Sequence, residues 1–163
     1  MTPTLTYRSN ASGFDFAPSR ATGKIASNLL DQLRKLIEAG QSAETLQGRA
    51  IRELEDAFLD CRCGNWDGYG ASAVRDAAFL QAKEFLALAV RRFPAPTASA
   101  MPGGSLTLEW IASPSRRFMV SLSGDDQIAY AGVFGSATVQ GTATFVNDVP
   151  MEISKHLVRL FFS

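Results

Sequence analysis

Between Cys61 and Gly70 the chain reads Cys-Arg-Cys-Gly-Asn-Trp-Asp-Gly-Tyr-Gly, which gathers two thiols, a carboxylate, a carboxamide, an indole and a phenol. Cys61 and Cys63 offer a thiolate pair of the kind zinc accepts. A structural zinc site takes four ligands, however, and the only histidine, His156, lies far along the chain. The spacing fits better a buried Cys61 on a helix stripe and a half-exposed Cys63. Nucleophilic catalysis needs a nucleophile, a base and an orienting group. Cys63 with His156 is a thiol–imidazole combination that no motif supports, and His156 is expected on the solvated side of the last helix. Asp67 and Glu109 supply a carboxylate pair for general acid–base work or a metal-dependent hydrolase or nuclease. Asp67 is better explained by the Asp-Gly turn, whose side chain caps its own backbone, and Glu109 is more often a sheet-surface acid than a catalyst.

The binding reading starts from Trp66 and Tyr69, whose rings are costly to leave in water and are covered either by the core or by a partner. Three glycines, Gly64, Gly68 and Gly70, make this a shaped loop. It is expected to plug a helix–sheet junction with its ring edges reaching a groove. Asn65, Trp66, Asp67 and Tyr69, with Glu109 and Ala131 on the sheet, form the candidate binding set.

Sixteen basic and sixteen acidic residues cancel. A balanced chain leaves no electrostatic footprint for nucleic acid or an anionic membrane. The 46% hydrophobic and 20% charged fractions are globular values, and 163 residues suit one core. No apolar run has membrane-spanning length, and the first residues lack the basic start and apolar stretch of a signal peptide. A cytoplasmic protein with reduced thiols, no cofactor and no membrane or nucleic-acid partner is expected. No glycine pattern links a strand to a helix as a phosphate loop would. Aromatics on a four-stranded sheet bring single-stranded RNA readers to mind. Trp110, Phe118 and Tyr130 share their face with Leu108 and Val120, which marks core instead.

These groups must be positioned by the surrounding elements. Residues 1–23, rich in Ser, Thr, Pro and Gly, read as a flexible arm that Phe14 and Phe16 would pin. Ile25, Leu29, Leu33 and Leu36, flanked by Leu30 and Ile37, have helical spacing, and Gly40 should end that helix. Ser42 would cap a second helix through Leu46, Ala50, Leu54, Phe58 and Cys61. A third is expected over 75–93, ended by Pro94 and Pro96. Residues 94–104 read as a break, after which the period becomes two. Strands are expected at 105–111, 117–123, 127–133 and 137–146, with Gly124-Asp125 marking a tight hairpin. A last helix follows at 150–162, carrying Met151, Ile153, Leu157, Val158 and Phe161. The expected fold is a single α+β domain over 24–163. It has an antiparallel four-stranded meander, N-terminal helices on one face and a closing C-terminal helix.

The two sheet faces differ. Leu106, Leu108, Trp110, Phe118, Val120, Leu122, Ile128 and Tyr130 should lie beneath helices. Thr107, Glu109, Ile111, Met119, Ser121, Ala129, Ala131 and Val133 make a half-apolar face, either covered by the N-terminal helices or docking a second copy or another chain.

Asn65-Trp66-Asp67-Gly68-Tyr69-Gly70-Ala71, a helix, Leu108-Glu109-Trp110, Tyr130-Ala131-Gly132 and then Gly141 together resemble a set of small bacterial proteins without an established activity. The likeness covers residues 60–162. It implies a bacterial or phage-related cytoplasmic protein working beside a neighbouring gene product, and it carries no catalytic residues. Those proteins commonly show Ser-Pro where this chain has Arg75-Asp76, so the third helix should start a residue or two away from 75. The reading with most support is a non-enzymatic protein-binding module, antitoxin-, immunity- or chaperone-like. A metal-dependent hydrolase using Asp67 and Glu109, or a self-associating structural protein, is the alternative.

Overall fold

A computed structural model describes residues 20–162 and divides the chain into two compact units, Met1–Gly40 and Gln41–Ser163. The expected arm falls largely outside the described residues, Phe14 and Phe16 included. Helix α1 spans Arg20–Cys61, so helical backbone begins inside the stretch read as arm. It also runs through Gly40 and Ser42, where a stop and a new cap were expected. An interior glycine costs a helix only about 1 kcal/mol relative to alanine, too little to break one that continues on both sides.

In the second unit, α2 covers Asp76–Ala89 and α3 Met151–Phe162, around strands β1 (Thr97–Ala100), β2 (Leu106–Ser113), β3 (Arg116–Leu122), β4 (Gln127–Phe134) and β5 (Ala137–Thr144). The class is α+β, as the change of period from helical to two predicts. The sheet is an antiparallel meander in the order β1-β2-β3-β4-β5, with five strands and not four. The added strand is β1, whose Thr-Ala-Ser-Ala sits inside the stretch read as a break. Thr97 pairs with Glu109 and Ala100 with Leu106. Four small residues between prolines carry too little pattern to register alone, and only the β2 edge makes them a strand. Helix α2 starts at Asp76 after an extended Arg75 that makes no side-chain cap, and it ends at Ala89 rather than reaching 93.

One sheet face is the core. Leu106, Leu108, Phe118, Val120, Leu122 and Ile128 are wholly buried, with Trp110 almost so. Helix α2 lies against β2 and β3, and α3 against β3 and β4. Ala50 and Leu54 join the same core from the C-terminal part of α1, where Phe58 stacks on Phe79 of α2 at 4.4 Å. The Trp110 indole N–H donates to the Pro94 carbonyl at 2.8 Å, so the largest core side chain leaves no polar atom stranded. Helix α3 buries Ile153, Leu157 and Leu160, while Met151 and Val158 face outward.

The other face is open. Ile111 is 54% exposed, Met119 and Ala129 are exposed too, and Ala131 and Val133 are half-buried. Thr107, of the same set, is buried. Among the described residues, no helix is long and apolar enough to cross a membrane.

Candidate functional site

The loop after α1 is built from its own side chains. Asn65 sits at φ 63° and Gly68 at 76°, a left-handed region that asparagine tolerates and glycine enters freely. The Asn65 backbone N–H donates to the Ala71 carbonyl at 2.7 Å, and its side-chain Oδ1 accepts the Gly70 N–H at 2.8 Å. Asp67 Oδ1 accepts two more backbone N–H groups, from Tyr69 at 2.8 Å and Ala71 at 3.0 Å. Those bonds, Tyr69 first, hold the Asp67 carboxyl below its ordinary range. Asn65 and Asp67 thus act here as a scaffold for the turn.

The loop is then moored to the body. The Trp66 indole N–H donates to the Ser72 carbonyl at 3.0 Å, and its ring, half-buried, packs against the core. Val74 N–H reaches the Cys61 carbonyl at 2.9 Å, closing the segment at its base. Ser72 N–H donates to the Pro102 carbonyl at 2.8 Å and Arg75 N–H to that of Gly104 at 3.2 Å, which ties the loop exit to the β1–β2 turn. Gly104 belongs there for a steric reason. Its φ is +82°, and a Cβ would lie 2.6 Å from the Ala73 carbonyl oxygen.

Tyr69 stands out from this framework with 95% of its surface exposed. Trp66 and Tyr69, one question in the sequence, divide the work: the indole plugs the junction and the phenol faces water. A ring held outward by a backbone with its hydrogen bonds already made loses little conformational entropy on being covered.

Of the candidate set, Asn65, Trp66, Asp67 and Tyr69 come together in this loop. Glu109 and Ala131 sit on the open sheet face, in a row running Thr97, Glu109, Met119, Ala131 and Gln140 across the five strands. Glu109 pairs with Arg117 at 3.8 Å, whereas the hydrogen bonds of Asp67 stay within its loop. An open depression of about 490 Å³ on that face is lined by Met119, Ser121, Ala129, Ala131, Gln140 and Thr142, among others. Periodicity placed Met119, Ser121, Ala129 and Ala131 on one face but did not show how exposed each would be.

Cys61 is buried and Cys63 exposed. Burial, aided by the charge of Asp60, pushes the Cys61 thiol up, which makes it a poorer nucleophile and ligand. His156 is the clearest departure from expectation. It is half-buried and stacks on Phe118 at 5.5 Å, with Tyr130 at 5.6 Å and Phe134 at 5.9 Å. Desolvation there, and then the Arg159 charge, lower its pKa. A helix-face count around α3 misses this because the imidazole borders the buried stripe and the aromatic strands reach out to it. Among the described residues no group of three or more His, Cys, Asp or Glu side chains is arranged to hold a metal ion. Comparison with known proteins adds no assignment, for no family model, curated protein or solved structure matches this chain.

Proposed function

We propose that this chain is a non-enzymatic protein-binding module, acting in the manner of an antitoxin, an immunity protein or a small chaperone, with Tyr69 as its anchor. The observation that carries the reading is the 95% exposure of Tyr69 on a loop whose Asn65 and Asp67 side chains are committed to the loop's own backbone. Large aromatics that bury on association dominate interface energetics, and a preformed loop keeps the ordering cost low. The open sheet face around Met119 and Ala131 offers a second apolar contact area. The bonding of Asp67 supports a scaffold role for it in preference to that of a base.

The test is a purified interaction. A protein captured from the native host at one-to-one stoichiometry is expressed, and its affinity is measured by titration calorimetry against wild type and Tyr69→Ala. An exposed substitution should leave stability within about 0.5 kcal/mol, while removal of an anchor should weaken binding by about 2 kcal/mol or more, some thirtyfold. Equal affinity for the two versions would remove Tyr69 from the interface and with it the reading.

A further inference from the structure

A separate apolar surface lies in the first unit and is independent of the Tyr69 reading. Helix α1 places Leu29, Leu33 and Leu36 at spacings of four and three, with Leu30 and Ile37 beside them. All five are exposed, by between 54% and 68%. At 3.6 residues per turn they fall within about 60° either side of Leu33. Asp31, Lys35 and Glu38 point to the opposite side. Asp31 with Lys35, and Arg34 with Glu38, are four residues apart, so the charges offset one another along the helix itself. Only Gln32 and Arg34 flank the stripe.

We propose that this stripe is the seam of a parallel, in-register homodimer, the occupant being the same stripe of a second copy. A helix in water owes most of its stability to an apolar face that is packed, and a face this long, exposed among the described residues, calls for another helix of matching period. Five leucine and isoleucine side chains at these exposures present on the order of 500 Å² per helix, the larger part of the roughly 800 Å² per partner of a stable interface, and the exposed stems of Gln32 and Arg34 add to it. Self-pairing puts no charge into the seam. The flanks choose the orientation. In a parallel pair, Arg34 faces Gln32 of the second copy. In an antiparallel pair centred on Leu33, the two Arg34 side chains face each other.

Sedimentation equilibrium on the full chain tests this. Wild type should run at twice its 17.6 kDa mass and fall toward the single mass on dilution. Leu33→Glu combined with Leu36→Glu should run at the single mass with its thermal transition retained. In a Cys63→Ser background, Leu36→Cys should cross-link to a dimer under mild oxidation, because residue 36 meets its own copy only in the parallel register. Tyr69→Ala should dimerise like wild type, which separates this test from the previous one. A wild-type chain at the single mass throughout overturns the proposal and assigns the stripe to a different protein or to the chain's own N-terminal residues. A dimer that survives the double substitution overturns it as well, and a Leu36→Cys chain that fails to cross-link overturns the parallel register.

Discussion

Gly70 and Gly104 hold similar positive φ angles, +93° and +82°, in very different surroundings, so replacing each with alanine separates backbone strain from steric contact. An L residue in the left-handed region costs about 1–2 kcal/mol, part of which is offset by about 0.4–1 kcal/mol from a stiffer unfolded chain. At Gly70 an added Cβ meets nothing within 4 Å, and the net cost of Gly70→Ala should be about 1 kcal/mol. At Gly104 the same atom lands 2.6 Å from the Ala73 carbonyl oxygen, a backbone atom that cannot swing aside. Overpacking of this kind adds about 1–3 kcal/mol, so Gly104→Ala should cost about 3 kcal/mol in all. Relief would require lengthening the Arg75–Gly104 bond, now 3.2 Å, or the bond from Gly104 N–H to Met101, now 2.9 Å. Urea unfolding reads the difference as a larger fall in midpoint at constant slope. For a chain of this size the melting temperature should drop by about 2–4 °C for Gly70→Ala and about 6–12 °C for Gly104→Ala. Equal losses, or a larger loss at Gly70, would show that the turn and the loop exit are not locked together and would refute the mooring argument.

Two further predictions concern protonation. His156 has a lowered pKa in the fold, so the unfolded chain binds more protons just below the usual histidine range; stability should fall as the pH drops through it, and His156→Phe should flatten that slope in pH-dependent urea melts. Phe118, Tyr130, Phe134 and Arg159 are the groups set against that imidazole. Asp67 has the opposite charge and also a lowered pKa, so its support for the loop is present above the ordinary carboxylate range and is lost as the pH falls through its folded value. Asp67→Ala should destabilise more than Asp67→Asn, which keeps an acceptor oxygen, and the gap between wild type and Asp67→Ala should close in acid. A gap independent of pH would remove the carboxylate from the account.

The residues themselves made a large part of this legible. Alternation over 105–111 and 117–123 marked strands whose alternate apolar residues proved buried, because a period of two has only one way to hide its apolar half. Cys61 through Gly70 read as a shaped loop because three glycines and an Asp-Gly pair have few other uses. Each of these follows from local chemistry, and local chemistry is written residue by residue.

What the tertiary structure alone decided were matters of neighbourhood. Strand β1 exists because the β2 edge offers hydrogen bonds to four small residues with no pattern of their own. Gly40 was a stop by propensity, yet a helix that continues on both sides absorbs about 1 kcal/mol without breaking. His156 acquired its aromatic surroundings from strands far from it in the chain. Periodicity shows that Leu29, Leu33 and Leu36 share a face, and that Met119 and Ala131 share another, but not whether anything lies against either. The same holds for Trp66 and Tyr69: two neighbouring rings of similar cost in water are divided between core and solvent by the hydrogen bonds that aim the backbone. Burial depends on which surfaces meet, and that is settled only when distant segments have folded together.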